Sequence, residues 1–279
     1  MKTNSFAFQG VNGAYSEQAG KNVFPNASSV PCATFEEMFA CVRDGQADIA
    51  LVPIENSQAG RVADTQRLIP ESDLKIIAEY FLEVKHNLLV IPGAKLSDIK
   101  RIHSHEQGLA QCRKKIIDLN KEMIISADTA GSAKHIANLN SKEDASIASE
   151  LAAKIYNLEI LEPNFQDAEN NVTRFLVMSK KLDLSQTNFD ETITTLIFTV
   201  RSIPASLYKC LGGFASNGVN ITKLESYVHP QGFDVAQFYI DFEGHPEENS
   251  VKLALEEMKF FCTKISILGV YKKSEFRKK

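Results

Sequence analysis

The sequence contains no run of about 18 apolar residues, so no segment is expected to cross a membrane. The first residues, MKTNSFAFQG, turn polar at Gln9 and again at Asn12, which leaves no continuous apolar core for a secretory signal peptide. We therefore expect a cytoplasmic protein, and a secreted solute receptor is disfavoured.

The sequence also has no excess of positive charge. Lysine and arginine total 31 against 35 aspartates and glutamates, for a formal net charge of -4. Without a basic field, neither nucleic acid nor an anionic membrane is the expected partner. An anionic ligand would have to be held by a local site.

Cysteine is sparse and scattered. The cysteines are Cys32, Cys41, Cys112, Cys210 and Cys262, an odd number with no CxxC pair. This pattern argues against a disulfide framework and against a structural zinc site. His103 and His105 lie close together but have no further clustered ligands, so no metal site is predicted.

What is present is an ordinary globular composition, with 44% hydrophobic and 24% charged residues in 279. That length predicts about two domains. Up to about residue 180, short apolar runs alternate with helical patterns, which predicts α/β architecture. The runs cover residues 5–9, 48–54, 86–92, 145–149 and 173–179. Helix starts are expected at Ser16, at the Thr34 to Glu37 capping box and at Asp128.

Residues 180–192 are polar and aperiodic, and we interpret them as a linker. The remainder predicts a βαββαβ order, which is a ferredoxin-like unit and often pairs with a copy of itself. Its expected strands are 192–200, 220–228, 235–242 and 262–271, its helices begin at Pro204 and Pro246, and a turn contains Pro230 and Gly232.

Polar clusters follow several of the predicted strands, and in open α/β sheets ligands bind beyond the carboxyl ends of the strands. The clusters cover residues 9–19, 53–60, 104–112 and 171–175. The first is a glycine-bearing turn before a helix, where backbone N–H groups can bind an anion. Each cluster taken alone is equally compatible with an ordinary turn or helix cap.

Together these clusters resemble the prephenate dehydratase family. PIENSxxG at 53–60, HNLL at 86–89, SHxQxLxQC at 104–112 and NxTRF at 171–175 occur in the order of that family. GVNITKLES at 218–226 and DFEGH at 241–245 resemble the ACT regulatory domain that follows its catalytic region.

The resemblance implies an α/β two-lobed catalytic region of the periplasmic-binding-protein-like type II fold, followed by an α+β ferredoxin-like ACT domain. The catalytic region would span 1–182 and the ACT domain 192–275. Lobe one would comprise about 1–82 and 165–182, and lobe two about 83–164. The chain would cross between the lobes near 82–86 and return near 162–172.

The implied reaction is the decarboxylating dehydration of prephenate to phenylpyruvate, water and CO2 in L-phenylalanine biosynthesis. No metal, nicotinamide, pyridoxal or other cofactor is required. Two alternatives stay open. One is arogenate as the substrate, whose side chain carries an amino group in place of the keto oxygen, and the other is a catalytically silent sensor of an aromatic acid or amino acid.

The family pattern implies that Thr173 acts on the leaving hydroxyl and that Arg174 clamps a carboxylate. A threonine hydroxyl is a very poor acid, so we expect Thr173 to donate a hydrogen bond that strengthens as the C–O bond breaks. The other implied catalytic residues are Glu55, Asn56 and Ser57, and the implied substrate-binding residues are Gly13, Ala14, Tyr15, Ser16, His86, Ser104, Gln107, Thr129, Ala130 and Phe175.

Several of these residues also have structural interpretations. Glu55 is also compatible with a cap or an ion pair alone, Gln107 with a helix cap, and His86 and His105 with structural roles. Asp128 stands where the family usually has serine. Because a negative charge would hinder binding of a dianion, we expect Asp128 to cap its helix and face away from the cleft.

In this family, phenylalanine binds between paired ACT domains and inhibits the catalytic region. The implied regulatory residues are Pro204, Ala205, Ser206, Leu207, Asn220, Leu224, Glu225 and Ser226. Ala205 replaces a glycine and Tyr227 replaces an arginine of the family pattern. A homodimer is the expected minimum and a homotetramer is compatible, and a unit used only for assembly is the alternative.

Overall fold

The computed structural model describes residues 3–181, 191–228 and 236–278. Contacts divide the chain into two compact units. The N-terminal unit comprises Met1–Leu68 and Tyr80–Leu176, and the C-terminal unit comprises Ile69–Glu79 and Val177–Lys279. The expected boundary near residue 182 is corrected in two respects. Residues 177–181, which we expected in lobe one, belong by their contacts to the C-terminal unit. So do residues 69–79, in which Ile76 pairs with Gly269.

The N-terminal unit contains two sheets. Its elements in chain order are β1 (Ser5–Gln9), α1 (Tyr15–Val23), β2 (Ser28–Cys32), α2 (Phe35–Arg43), β3 (Ile49–Asn56), β4 (Gly60–Arg61), α3 (Ala63–Leu68), β5 (Lys75–Glu83), β6 (Asn87–Val90), β7 (Arg101–Ser104), α4 (Glu106–Gln111), α5 (Arg113–Asp118), β8 (Glu122–Ile125), α6 (Thr129–Leu139), β9 (Asp144–Ala148), α7 (Glu150–Ile155), β10 (Glu159–Glu162) and β11 (Val172–Ser179). Strands β5 and β11 each run across a boundary between the units.

The first sheet has the strand order β11-β3-β1-β2, and β4 pairs antiparallel with β3. The second sheet has the order β10-β6-β9-β7-β8. Each forms one lobe of the N-terminal unit, and the chain passes between them before β6 and after β10. The second lobe encloses its own core, in which Leu88, Ile102, Ile116, Ile136 and Ile147 are fully buried.

The caps expected from the sequence form. Thr34 Oγ1 accepts a hydrogen bond from the Glu37 N–H at 3.1 Å, and Asp128 Oδ1 accepts one from the Gly131 N–H at 2.6 Å. Both satisfy N–H groups that have no acceptor within the first turn of a helix. The sequence therefore fixes where α2 and α6 begin.

A buried carboxylate joins two strands of the second lobe. Asp144 on β9 accepts two hydrogen bonds from the Arg101 guanidinium, at 2.7 and 2.8 Å, and one from His103 Nε2 at 2.8 Å. The hydrogen bonds from Arg101 are the main reason that the pKa of Asp144 lies well below its usual range. Asp144, Arg101 and His103 thus form one hydrogen-bonded group between β9 and β7.

The C-terminal unit has the predicted βαββαβ order. Its elements are β12 (Thr192–Val200), α8 (Ser206–Ser216), β13 (Ile221–Val228), β14 (Ala236–Glu243), α9 (Asn249–Lys259) and β15 (Cys262–Lys272). The sheet order β13-β14-β12-β15 is the ferredoxin-like order. The two helices pack over a core that includes Leu196, Phe198, Phe214, Phe242 and Val251. The turn with Pro230 and Gly232, and residues 182–190 of the predicted linker, lie outside the described residues.

All five cysteines are buried free thiols. In the described ranges, no helix combines the length and the apolar character that a bilayer crossing requires.

Ala205 adopts a backbone conformation that favours glycine. It lies before the first turn of α8 with φ of 58° and ψ of 25°, in the left-handed region. A Cβ atom in this region crowds the following carbonyl and costs about 1–2 kcal/mol. The backbone therefore keeps a conformation suited to glycine although the residue is alanine.

We expect Ala205→Gly to raise the free energy of unfolding by about 0.5–1 kcal/mol, because glycine reaches this region without the Cβ penalty. Denaturant unfolding measures the difference. The matched control is Ala215→Gly inside α8, which should lower stability by about 0.5–1 kcal/mol because glycine weakens a helix. The same sign for both variants would contradict the interpretation.

Candidate active site

A cavity of about 470 Å³ opens in the N-terminal unit and is lined by residues of both lobes. Most of the predicted catalytic and substrate-binding residues contribute to it. Those that line it are Ala14, Tyr15, Ser16, Asn56, His86, Gln107, Thr129, Ala130, Thr173 and Phe175.

The Asn56 side chain has only one possible orientation. Its Oδ1 accepts hydrogen bonds from the backbone N–H groups of Gln58 and Ala59, at 2.9 and 2.8 Å. Its Nδ2 therefore points the other way, where it donates to Thr173 Oγ1 at 2.9 Å and to Asn171 Oδ1 at 2.7 Å. Because Thr173 Oγ1 accepts from Asn56, its own proton is available to a group in the cavity.

The same order of hydrogen-bond donors and acceptors continues along the cavity wall. With Asn171 Oδ1 occupied, Asn171 Nδ2 donates to Gln111 Oε1 at 2.9 Å. Gln111 Oε1 also lies 2.7 Å from His86 Nε2, which must therefore carry a proton. Tyr15 OH lies 2.8 Å from His86 Nδ1 and 3.0 Å from the Lys85 carbonyl oxygen. A chain of side chains thus runs from Thr173 through both lobes to Tyr15.

Burial sets the protonation of the far end of this chain. Burial lowers the pKa of His86 below its ordinary value, and the hydrogen bond that His86 donates to Gln111 only partly opposes that change. Burial also raises the pKa of Tyr15 well above its ordinary value. A neutral His86 with its proton on Nε2 satisfies this geometry, because its Nδ1 and the Lys85 carbonyl oxygen are then both acceptors for the single proton of the Tyr15 hydroxyl.

Arg174 does not line the cavity, which corrects the placement expected of a carboxylate clamp. It is 2% exposed, its Nη1 lies 3.1 Å from Glu55 Oε1, and its guanidinium lies 6.0 Å from the Phe81 ring centre. Successive residues of a strand point to opposite faces, so Thr173 and Arg174 cannot share one. The same alternation on β3 separates Asn56 from Glu55, which likewise does not line the cavity.

Three further predicted residues lie outside the cavity lining, namely Ser57, Ser104 and Gly13. Ser57 Oγ donates to the Asn170 carbonyl at 2.7 Å and accepts from the Val172 N–H at 2.9 Å, which fastens the end of β3 to the start of β11. Ser104 is fully buried, and its Oγ donates to the Ile147 carbonyl at 2.8 Å. Both hydroxyls are therefore occupied by backbone groups.

Gly13 has a packing role. Its φ is +93°, and a Cβ atom there would lie 2.8 Å from Cα of Ala152 on α7. Its carbonyl oxygen accepts a hydrogen bond from Ser149 Oγ at 2.6 Å. Glycine therefore allows the turn before α1 to approach the second lobe closely.

The prediction for Asp128 is correct about the helix cap and wrong about the direction in which the residue faces. It caps α6, as expected, but it also lines the cavity rather than facing away from it. The cap fixes Asp128 at the start of α6, and this end of the helix borders the cavity through Thr129 and Ala130.

The cavity lining is nearly free of cationic groups. No lysine or arginine among the described residues lines it, and its formally charged side chains are Asp64 and Asp128. The first residues of α1 and α6 border the cavity. The first N–H groups of a helix have no acceptor within the helix, and they carry partial positive charge. The lining can therefore bind an anion through main-chain groups.

Sequence reasoning did not assign roles to Asn171 and Gln111, which connect Asn56 to His86. The signal was present in the sequence. Asn171 precedes Thr173 by two positions, and Gln111 follows Gln107 by one helical turn, so each shares a face with a predicted residue. Both lie in motifs that carried the resemblance, Gln111 in SHxQxLxQC and Asn171 in NxTRF.

We expect Gln111→Glu to raise the pKa of His86, because a carboxylate beside Nε2 stabilises the imidazolium. In the unmodified protein the imidazole should stay neutral, with its proton on Nε2, at neutral pH. NMR titration of the ring nitrogens measures both properties. Gln111→Met is the uncharged control of similar volume, and an unchanged His86 titration in the Glu variant would contradict the assigned contact.

The sequence is similar to known proteins over almost its whole length. The prephenate dehydratase family matches residues 6–183. A bifunctional N-acyl-homoserine lactone acylase/prephenate dehydratase from Komagataeibacter europaeus is 45% identical over 273 residues, covering 98% of this chain and 97% of that protein. Arogenate dehydratase/prephenate dehydratase 2 of Arabidopsis thaliana is 38% identical over 277 residues, covering 95% of this chain and 72% of that protein.

A solved structure shows the same fold. The crystal structure of prephenate dehydratase from Arthrobacter aurescens, in complex with L-Phe, superposes with a TM-score of 0.88 at 32% sequence identity. The match covers 96% of this chain and 90% of that chain. The family match extends over more than half of the sequence, and the chain belongs to the prephenate dehydratase family.

Proposed function

We propose that this protein catalyses the decarboxylating dehydration of prephenate to phenylpyruvate. The observation that carries the proposal is the orientation of the Thr173 hydroxyl. Asn56 donates a hydrogen bond to the oxygen of that hydroxyl, at 2.9 Å. The proton of the Thr173 hydroxyl can therefore be donated to a group in the cavity.

The reaction needs help for one leaving group. The ring carboxylate leaves as CO2, its bonding electrons complete the aromatic ring, and the C–O bond at the opposite ring carbon breaks to release hydroxide. Negative charge grows on that oxygen in the transition state. A hydrogen bond from Thr173 strengthens as the charge grows, and it therefore lowers the barrier more than it stabilises bound substrate. The hydroxide then takes a proton and leaves as water.

The other predicted residues would support this step without taking part in bond breaking. The N-termini of α1 and α6 would bind the two carboxylates of prephenate, in place of the clamp expected from Arg174. Arg174 and Glu55 would act as positioning residues. Their ion pair, on the faces of β11 and β3 away from the cavity, holds the two strands that carry Thr173 and Asn56.

Removing the Thr173 proton should abolish most of the activity. We expect Thr173→Val to lower kcat for prephenate about 10²- to 10³-fold, as for loss of one donor to a developing oxyanion. Thr173→Ser should retain most of the activity because it keeps the donor. The rates are measured as formation of phenylpyruvate at neutral pH, because prephenate decomposes without enzyme in acid.

A second variant tests the orientation argument directly. Asn56→Asp replaces the amide donor with an acceptor, so Thr173 would turn its proton towards residue 56 and away from the cavity. We expect a fall in kcat close to that of Thr173→Val in a folded protein. Full activity of Asn56→Asp would show that the hydroxyl does not depend on this contact.

The C-terminal unit is proposed to be an ACT domain that binds phenylalanine between two copies of the chain. Its βαββαβ topology and the L-Phe complex of the Arthrobacter aurescens relative support this. Within one chain the predicted residues lie apart. Asn220 lines a depression of about 340 Å³ with Glu243 and Lys273, whereas Pro204 and Ser206 line another of about 380 Å³.

The other predicted regulatory residues lie on α8 and β13. Leu207 packs against the core, and Glu225 Oε1 accepts a hydrogen bond from Lys223 Nζ at 2.5 Å. Leu224 and Ser226 on β13 are exposed. A second copy, forming a homodimer or homotetramer, would bring such exposed surfaces together.

We expect excess phenylalanine to lower the rate of prephenate turnover and to raise the melting temperature. Asn220→Ala should weaken both effects and leave the rate without phenylalanine unchanged, since Asn220 lies outside the N-terminal unit. Absence of both effects in the unmodified protein would favour a unit used only for assembly.

A second candidate activity comes from the Komagataeibacter europaeus relative, whose name includes an N-acyl-homoserine lactone acylase. Acyl transfer needs an activated nucleophile. Among the described residues, the cavity histidines contact Tyr15, Gln111 and the Gln107 N–H rather than a serine, threonine or cysteine. Fatty-acid release from an N-acyl-homoserine lactone, with Thr173→Val as the comparison, tests this activity.

A further inference from the structure

The turn before α1 is fastened to the second lobe by two hydroxyl groups. Ser149, which is 1% exposed, donates a hydrogen bond through Oγ to the Gly13 carbonyl oxygen at 2.6 Å. The Tyr156 hydroxyl donates one to the Asn12 carbonyl oxygen, also at 2.6 Å. Ser149 is the N-cap of α7 and Tyr156 is its C-cap, so the two ends of one helix bind two consecutive carbonyl groups. We call this pair of contacts the clasp.

The same turn is fixed within the first lobe by a buried carboxylate. Glu17 Oε2 accepts a hydrogen bond from the Gly13 N–H at 2.7 Å, and Glu17 Oε1 accepts one from Ser29 Oγ at 2.6 Å. The N–H and the carbonyl of Gly13 are thus both bound, the first from its own lobe and the second from the other lobe. Because its own lobe fixes the turn, α7 can separate from it only by breaking the clasp.

The clasp lies outside the cavity but connects two of its walls. None of the four residues of the clasp lines the cavity. Residues 14–16, directly after the turn, line it from the first lobe, and Gln107, Thr129 and Ala130 line it from the second. A ligand that contacts both walls therefore binds only while the separation of these walls is kept.

Tyr156 remains a hydrogen-bond donor at neutral pH. Burial raises the pKa of its hydroxyl above the ordinary value, and the negative charges of Asp128 and Glu17 raise it further. Asp128 itself lines the cavity, so this end of α7 lies close to it. The exposed half of the clasp is therefore intact under the conditions in which the enzyme would work.

We propose that Ser149 and Tyr156 are positioning residues for the proposed reaction, which hold the two walls of the cavity at the separation that binds the substrate. The inference rests on the proposed function, because it concerns substrate binding in the same cavity. Thr173 and Asn56 both belong to strands of the first sheet and contact each other without the clasp. Once the substrate is bound between the walls, the chemical step should therefore proceed at its usual rate.

The test separates KM from kcat in the full-length protein. Tyr156→Phe removes one hydroxyl and keeps the ring. We expect KM for prephenate to rise about 2- to 10-fold, as for the loss of one hydrogen bond, and kcat to change less than about twofold. The reason is that separated walls lower the fraction of protein that can bind substrate, which weakens the apparent affinity.

Tyr80→Phe is the matched control. The Tyr80 hydroxyl accepts a hydrogen bond from Asn22 Nδ2 at 3.1 Å, a contact within the first lobe, so KM should stay unchanged. Ser149→Ala added to Tyr156→Phe removes the buried half of the clasp as well, and KM should rise again by a similar factor. Because Ser149 Oγ also caps α7 through the Ala152 N–H, denaturant unfolding checks that this double variant is folded. If it is not, Tyr156→Phe alone decides.

Spin labels measure the separation of the lobes without any substrate. Arg43→Cys on α2 and Lys100→Cys before β7 place labels at exposed positions of the first and second lobes, and the native thiols are buried. We expect the distribution of distances between the labels to broaden or lengthen in Tyr156→Phe and to stay the same in Tyr80→Phe.

The two readouts distinguish this proposal from the proposed function. If the unmodified protein does not convert prephenate, the proposed function fails, and the label distances alone decide whether the clasp sets the separation of the lobes. If prephenate is converted but Tyr156→Phe changes neither KM nor the label distances, the function stands and the positioning role is overturned. A change in only one of KM and the label distances, or a fall in kcat with constant KM, also overturns that role.

Discussion

The hydrogen bonds from two backbone N–H groups to Asn56 Oδ1 are the constraint on which the cavity depends. An asparagine amide can usually turn over and exchange its donor and acceptor, but these two bonds prevent that exchange. The donor and acceptor roles of the side chains that follow, from Thr173 and Asn171 to His86, depend on this orientation, because each side chain can pair with its neighbour in only one way. The direction of the Thr173 proton and the position of the His86 proton are therefore both set by a turn after β3.

This chain also explains why the site needs both lobes. Asn56 and Thr173 belong to the first sheet, Gln111 ends a helix of the second lobe, and His86 lies where the chain passes between them. A single lobe would leave Gln111 or Asn171 with an unpaired polar group, which is costly away from water. The polar chain therefore favours the arrangement of lobes in which the cavity is complete.

Much of this could be predicted from the sequence because it depends on local patterns. Alternation of apolar residues fixed the strand at 192–200, and capping residues fixed the starts of α2 and α6. The motifs located Asn56 and Thr173 at the ends of predicted strands, and the structure shows that these strands, β3 and β11, are neighbours. These features need only residues within a few positions of each other.

The predictions that were wrong concerned the direction in which a side chain points and the contacts between residues far apart in the sequence. Arginine suggested a carboxylate clamp, but strand alternation places Arg174 opposite Thr173, against Glu55. Asp128 was correctly taken as a cap, yet a cap does not tell which side of the helix end meets a cavity. Residues 69–79 join the C-terminal unit through partners almost two hundred positions away, such as Ile76 with Gly269, and no local pattern reveals that pairing.

Binding anions through main-chain N–H groups has a consequence for how such a protein changes over generations. Peptide N–H groups are present whatever side chain a codon specifies, proline excepted, so few point mutations at the starts of α1 and α6 would remove them. Side chains at the rim are free to vary while the capacity to hold a carboxylate persists. A new preference among related acids can then arise from one side-chain exchange at the rim, without loss of the main-chain groups that hold the carboxylate.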